Sequence, residues 1–309
     1  MRMRRNSPRN AAVPKPTTRA VCALGAGLLA MASGCATLRD RSPVPDYVAK
    51  SRSLWHRGVS AMESGRWYEA ESWLRQAAEV SPQDADTNRH LAQALRQRGS
   101  LAEALAHAEL ACRFDPGDPR SLILAGEIHL ATNNATAARE RATEAITIDG
   151  KNASAWALRG RAFRMQGDAD RALADTQQAL RYAPNDTALL TELAALQHER
   201  GAPNRGLVAI HHLLDSYAPG EEPAGVLALE GRCYADLGRP QEAADSLRLA
   251  IAHGATDADT HCYLAHAEAA CGRPDQALAE ARLALGADSN HAASQELVAR
   301  LTGDATTLR

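Results

Sequence analysis

Small residues recur along this chain with a period of 34 residues, and no other feature constrains its fold as strongly. They fall in four columns. The first column contains Gly58, Ala92, Gly126, Gly160, Ala194, Gly231 and Ala265. The second contains Gly65, Gly99, Asn133, Gly167, Gly201, Gly238 and Gly272. The other columns run from Ala70 to Ala277 and from Ala77 to Ala284, and they are alanine except at Gly206 and Leu213. Four columns in one register over seven copies indicate a stack of one repeated supersecondary unit.

The composition favours helices as the elements of that unit. Aromatic residues make up 4% of the 309 residues, whereas hydrophobic residues reach 45% because alanine is abundant throughout. Alanine has the highest helix propensity, and small side chains let helices approach one another closely. Sandwiches and barrels, which rely on β-branched and aromatic residues, are disfavoured. The sequence therefore predicts an all-α protein.

The pattern resembles the tetratricopeptide repeat, which has small residues at positions 8, 20 and 27 and proline at position 32, here Pro82, Pro116 and Pro184. This resemblance implies a right-handed superhelical α-solenoid of seven helix pairs. The seven repeats are expected at 51–84, 85–118, 119–152, 153–186, 187–223, 224–257 and 258–291. Residues 292–309 then supply a helix at Ala292–Leu301, which we expect to cap the open end of the stack, and a tail.

Local signals agree with this division. The Gly or Asn at position 15 can adopt the left-handed conformation that ends the first helix. The predicted N-caps are Ser100, Asn134 and Asp168 for second helices, and Asp84, Asp118, Asn152, Asp186 and Asp257 for first helices. Repeat five departs from the pattern at Gly206 and Leu213 and has a three-residue excess near 220–223. We expect either a longer second helix or a longer loop there, with a local change in superhelical pitch.

Residues 1–34 resemble the signal peptide of a bacterial lipoprotein. A segment with six basic residues and no acidic one precedes a short apolar run, and Ala32, Ser33 and Gly34 stand directly before Cys35. The apolar run of about 15 residues is shorter than the ~20 that a membrane-spanning helix needs. The resemblance implies that Cys35 is lipidated, becomes the mature N-terminus and anchors the chain to the lipid bilayer.

Cleavage before Cys35 would change the charge of the chain. The 35 basic residues fall to 29 against 37 acidic ones, so the net charge moves from −2 to −8, and neither value favours nucleic acid. Ala36 replaces the aspartate that retains lipoproteins in the inner membrane, which favours the outer membrane, facing the periplasm. Residues 35–50 predict a flexible tether. If the signal interpretation fails, the alternative is a cytoplasmic repeat protein.

In the tetratricopeptide family, positions 2, 5, 9, 12 and 13 of each first helix face a concave groove that binds peptides or helices. The groove residues predicted to contact a partner are Arg52, Trp55, Arg89, Arg96, Arg120, Arg161, Arg164 and Arg232. The arginines of repeats two to four either bind the carboxylates of an acidic peptide or form a solvated wall of mixed charge. Trp55 and Val59 occupy positions where a chaperone-type carboxylate clamp needs Lys and Asn, so we do not expect that specificity.

The first repeat carries an unusual concentration of aromatic residues: Trp55, Trp67, Tyr68 and Trp73. One interpretation is a docking surface or a contact between two copies of the chain, since large rings dominate binding energy at interfaces. The other is that large rings compensate for the missing neighbour at this end of the stack. The sequence leaves both open.

The cysteines and histidines give no metal-binding pattern. Cys112, Cys233, Cys262 and Cys271 are expected to be small apolar residues of helix interfaces, and a Cys233–Cys271 disulfide is the alternative. Asp259, Cys262 and His266 share one helical stripe but lack a recognised ligand spacing. We therefore expect no metal and no cofactor.

The sequence also lacks the motifs of common enzymes. It contains no Gly-rich phosphate loop, no Gly-x-Ser-x-Gly and no His-Glu-x-x-His, and the repeats, tether and cap account for the whole mature chain. We therefore predict a non-enzymatic, membrane-anchored scaffold for other envelope proteins. Its layout resembles both pilotins that help to assemble pilus or secretion pores and adaptors that gather peptidoglycan hydrolases. An envelope enzyme with a cryptic site in the groove is the alternative.

Overall fold

The computed structural model describes residues 45–303, and within that range it contains fifteen α-helices and no β-strand. The first helices of the seven repeats are α1 (Asp46–Glu63), α3 (Ala85–Gln97), α5 (Pro119–Ala131), α7 (Ala153–Met165), α9 (Thr187–Glu199), α11 (Ala224–Asp236) and α13 (Ala258–Ala270). The second helices are α2 (Trp67–Val80), α4 (Leu101–Phe114), α6 (Ala135–Ile148), α8 (Ala169–Tyr182), α10 (Pro203–Leu214), α12 (Pro240–Ala252) and α14 (Pro274–Ala287), and α15 (Ala292–Thr302) follows them.

The helices form an all-α solenoid in which each first helix packs against the second helix of its own repeat and against that of the preceding repeat. Successive first helices also approach one another, for example α3 with α5 and α5 with α7, whereas the backbones of successive second helices stay further apart. The side of a curved stack where neighbours are closer is its inner side. The first helices therefore line the concave face.

The columns of small residues explain how tightly the helices pack. Every alanine of the position-20 column, including Ala70 and Ala277, has no exposed surface. At position 8, a Cβ added to Gly58 would lie 2.5 Å from Cγ of Leu74, and one added to Gly231 would lie 2.5 Å from Cγ of Leu247. The small residues therefore leave room for a leucine of the facing helix, as the sequence pattern predicts.

The turns between paired helices follow the predicted chemistry. Position 15 has a left-handed backbone in every repeat, and even the single non-glycine, Asn133, has φ of 59°. All five predicted aspartate or asparagine caps of first helices accept a backbone N–H. Among second helices, Asn134 and Asp168 do the same, but Ser100 occupies the cap position without a side-chain hydrogen bond to the helix.

The first helix begins earlier than the sequence suggested. α1 starts at Asp46, preceded by Pro45, so the last five residues of the segment predicted as a flexible tether are helical. Proline is well placed here because it precedes the first turn and no intrahelical N–H is lost. The tether prediction is therefore wrong for 46–50. Cys35, the signal segment and the rest of the tether lie outside the described residues.

In repeat five the extra residues extend a loop and not a helix. α10 has 12 residues, and the longer connection runs from Asp215 to Pro223. Gly206 has a physical reason, since a Cβ there would lie 3.2 Å from the carbonyl oxygen of Ala194 and 3.3 Å from Sγ of Cys233 in the next repeat. Leu213, at the other deviant position, is fully buried in the cluster shared by repeats five and six. The side chains of Cys233 and Leu213 thus fill space that the repeat alanines fill in the other repeats.

The C-terminal end of the stack is covered by α15. Leu297 is almost fully buried against Ala265 and Ala281 of repeat seven. The four cysteines in the described residues are all unpaired, so the alternative of a Cys233–Cys271 disulfide is not formed here. Within residues 45–303, no helix is both long and apolar enough to cross a bilayer.

Candidate partner-binding groove

The predicted groove arginines lie on the first helices, where they line the concave face. Arg89 and Arg96 of α3 and Arg120 of α5 share one depression of about 330 Å³, whose floor includes Ile123 and Leu124. Arg161 and Arg164 lie on α7 and Arg232 on α11. The structure therefore brings the arginines of repeats two and three together on the concave face.

Apart from Arg52, every predicted groove arginine is already paired with a carboxylate of the chain itself. Arg89 contacts Asp86 at 2.7 Å and Asp118 at 3.5 Å, and Arg120 contacts Asp118 at 2.7 Å. Further pairs join Arg96 with Glu127, Arg161 with Glu192 at 2.9 Å, Arg164 with Glu199, and Arg232 with Asp257 at 3.6 Å. In this structure the groove is thus a wall of alternating charge.

Most of these ion pairs connect one repeat to the next. Glu127, Glu192 and Glu199 lie on the first helix that follows their arginine, and Asp118 and Asp257 cap the start of the following first helix. The sequence pattern did not predict the role of Glu192, which is only 8% exposed. The available signal was that Glu192 is the single acidic residue at its repeat position, where the other six repeats have histidine, leucine or tyrosine.

Asp118 has a double role, since it both caps α5 and binds groove arginines. Its carboxylate accepts hydrogen bonds from the backbone N–H of Arg120 at 3.1 Å and from the Ser121 hydroxyl at 2.9 Å. Burial alone would raise the pKa of Asp118, but the hydrogen bonds from Arg120 and Ser121 outweigh it and lower this pKa below its usual range. The side chain therefore stays ionised between the two repeats.

Comparison with known proteins agrees with this architecture. Models of the family described as tetratricopeptide repeat match residues 57–119 and 153–186. A solved tetratricopeptide repeat protein from Parabacteroides merdae superposes with a TM-score of 0.60 at 15% identity, covering 83% of this chain and 100% of its own. This chain is a tetratricopeptide-repeat protein.

Two further solved structures share the solenoid. The pilF protein of Pseudomonas aeruginosa has a TM-score of 0.61 at 18% identity over 72% of this chain and 98% of its own. A thermophilic tetratricopeptide-repeat protein of Thermus thermophilus has a TM-score of 0.51 at 21% identity over 60% of this chain and 98% of its own. At these identities the likeness concerns the fold alone. No curated protein matches this sequence.

The family assignment gives a coarse functional statement. Tetratricopeptide-repeat proteins bind partner peptides or proteins in a groove, and the fold is typically a scaffold without catalytic activity. This tetratricopeptide-repeat protein is therefore a scaffold for protein–protein interaction.

The aromatic residues of the first repeat are distributed over several surfaces. Trp55 packs half-buried against the core of repeats one to three. The guanidinium of Arg57 lies 5.0 Å from the ring centre of Trp73, and that of Arg98 lies 3.7 Å from the ring centre of Tyr68, which is 75% exposed. The rings do not form one apolar patch, because arginines cover two of them. A contact between two copies stays a prediction.

The stripe of Asp259, Cys262 and His266 does not converge on one point. Asp259 is bound to His291 of the capping segment, with 3.0 Å between Oδ1 and Nε2. Cys262 is buried, and burial raises the pKa of its thiol. Within residues 45–303, no group of three or more His, Cys, Asp or Glu side chains is arranged to hold a metal ion.

Proposed function

We propose that this protein is a lipid-anchored scaffold of the bacterial envelope, which binds a segment of a partner protein in its concave groove. The proposal joins two features: a solenoid of seven helix pairs, and a signal-like segment that ends at Cys35. The scaffold would act in the assembly of a pilus or secretion pore, or of a cell-wall complex. The resemblance in layout to pilotins and to hydrolase adaptors supports both roles equally.

One observation supports the groove as the binding surface. Its central depression between repeats two and four combines apolar side chains with polar groups that can bind a peptide backbone, and it is lined by Gln93, Ile123, Leu124, Asn152 and Ser154 beside three arginines. A floor of apolar atoms with a few polar groups is the usual composition of a ligand-binding surface in proteins.

Site-specific photocrosslinking in the native bacterium tests the groove. A photoreactive phenylalanine analogue at Gln93 should capture a discrete partner, because this residue lines the groove depression. The matched control carries the same analogue at Val208, which is 71% exposed on the second helix α10. Equal capture from both positions would show that the groove has no special role. The identity of the captured protein distinguishes pilus or secretion assembly from a cell-wall role.

Metabolic labelling with a palmitate analogue tests the anchor. We expect Cys35→Ser to abolish labelling and to release the protein from membranes. Cys22→Ser is the control and should keep its label, because Cys22 lies within the segment that is removed. Labelling that persists in Cys35→Ser, or an unlabelled wild type, would favour the cytoplasmic alternative.

A further inference from the structure

The charges around the central depression of the groove cancel one another. Its three arginines are all engaged within the chain: Arg89 with Asp86 and Asp118, Arg120 with Asp118, and Arg96 with Glu127. Three carboxylates therefore balance three guanidinium groups. An anionic partner segment could bind here only by replacing one of these carboxylates, and a cationic segment would meet the arginines.

The uncharged polar groups of the depression are available to a partner. The carboxamide of Gln93 and the hydroxyl of Ser154 form no hydrogen bond with any residue in the described range 45–303. Asn152 caps α7 through Oδ1, which accepts the backbone N–H of Ala155 at 3.1 Å, so its NH₂ group is left to donate elsewhere. The depression thus offers hydrogen-bond donors and acceptors that carry no charge.

These polar groups and one apolar side chain follow a diagonal across three first helices. Gln93 lies at position 9 of repeat two, Ile123 at position 5 of repeat three and Ser154 at position 2 of repeat four. Ile123 is half-buried, so part of its side chain is exposed between the two polar residues. An extended peptide fits such a row, because it presents backbone polar groups and every second side chain to the same surface.

We propose that this depression binds an extended segment of a partner protein that carries no charged side chain at the contact. Backbone groups of the segment form hydrogen bonds with Gln93, Asn152 and Ser154, and one apolar side chain packs against Ile123. Such a segment leaves the ion pairs between repeats two and three intact, whereas an acidic segment has to replace them. This inference rests on the proposed function and names the chemistry of the bound segment.

Selection of a random peptide library on the purified protein tests this chemistry. We expect the enriched peptides to share an apolar residue such as Val, Leu or Met, with no Asp, Glu, Lys or Arg directly beside it. Their affinity should change by less than about twofold between about 50 and about 500 mM NaCl, because salt screens only interactions between charges. An acidic motif, or an affinity that falls by about tenfold over this range, would overturn the proposal.

A change in the size of the depression shows where the apolar residue packs. Ile123→Ala makes more room, so selection on this variant should exchange the aliphatic residue of the motif for Phe or Trp, a new preference that misfolding cannot produce. Val208→Ala, at an exposed position of α10, is the control and should leave the motif unchanged. The same motif on Ile123→Ala and on wild type would show that the segment does not bind in this depression.

A second pair of variants isolates the hydrogen bond from Asn152. Asn152→Asp keeps an oxygen that caps α7 but has no NH₂ group, so the affinity of an enriched peptide should fall about fivefold, the effect of one neutral hydrogen bond. Asn134→Asp makes the same change at the cap of α6, outside the depression, and should leave the affinity unchanged. Equal affinities for wild type and Asn152→Asp would overturn the proposed backbone contact.

The outcomes separate this inference from the proposed function. If the analogue at Gln93 captures a partner but the selected peptides are acidic, this inference is overturned and the scaffold function stands. The same conclusion follows if a partner is captured and no peptide is enriched. Failure of both experiments would overturn both proposals.

Discussion

At the scale of single residues, close approach between helices decides which side chains the repeat accepts. The Cβ of an alanine at Gly231 would meet Leu247, which is fully buried, and the carbonyl oxygen of Ala243 at 3.2 Å. Neither group can move without disturbing the pair α11 and α12. Gly225, six residues earlier on the same helix, has no atom within 4 Å of the corresponding position.

Gly231→Ala should therefore destabilise the protein by about 1–3 kcal/mol through overpacking. Gly225→Ala should be neutral or stabilising by up to about 1 kcal/mol, because alanine restricts the unfolded chain without a clash. Urea unfolding followed by circular dichroism measures both. Equal effects of the two substitutions would contradict the close approach seen at Gly231.

Asp118 provides a prediction about pH. Its pKa is lowered by the hydrogen bonds from Arg120 and Ser121, so the ionised form is favoured in the folded state. The stability it contributes is present above the ordinary pKa of an aspartate, near 3.9, and is lost as the pH falls through the lowered value in the folded protein.

Asp118→Asn tests this, because asparagine also caps helices well and only the charge is lost. Wild type should be more stable than Asp118→Asn at pH 6, and the difference should shrink as the pH falls below 4. Thermal unfolding across this range gives the two curves. A difference that does not depend on pH would show that the charge of Asp118 is not the source of the stabilisation.

At the scale of helices, the repeat pattern predicts most of the structure because each signal is local. Glycine at position 15 and the caps at Asp84 or Asp186 lie beside the helix ends they specify. The cross-repeat partners were harder to foresee, because Arg161 and Glu192 are 31 residues apart. The early start of α1 was missed since Asp46–Lys50 precedes the first full copy of the pattern. The pattern places groove residues on one face, but their ion-pair partners in the next repeat become visible only in the three-dimensional structure.

The contact between Gly206 and Cys233 predicts coupling between α10 and α11. Gly206→Ala alone should destabilise the protein by about 1 kcal/mol, because the new methyl group meets the carbonyl oxygen of Ala194 at 3.2 Å and the buried sulfur of Cys233 at 3.3 Å. Cys233→Ala removes the sulfur but not the carbonyl oxygen, so the double variant should recover part of the loss. A double-mutant cycle measures the coupling. Additive effects would mean that repeat five carries its glycine for another reason.

At the scale of the whole solenoid, each helix pair contacts only its neighbours along the chain. Stability in such a stack is close to a sum over repeats and their junctions, so damage at one end weakens nearby repeats first. The capping helix α15 buries Leu297 against repeat seven, at the far end of the stack from Trp55.

Leu297→Ala should cost the C-terminal end about 3 kcal/mol, the typical effect of truncating a buried leucine. Hydrogen exchange followed by mass spectrometry should show faster exchange in α13 to α15 and unchanged exchange in α1 to α4. Ala293→Ser, an exposed substitution on the same helix, is the control. Uniformly faster exchange along the chain would show that the solenoid unfolds as a single cooperative unit.

The ion pairs along the groove also determine what a partner carboxylate must displace in order to bind a groove arginine. A partner carboxylate binds Arg96 by displacing Glu127, or Arg164 by displacing Glu199. The binding free energy it gains is therefore only the difference between two similar ion pairs. The displaced glutamate belongs to the neighbouring repeat, and its release loosens the joint between the two. A ligand that binds Arg96 or Arg164 therefore makes the solenoid less rigid, because it breaks an ion pair between two repeats. A ligand that binds Arg52 breaks no such ion pair.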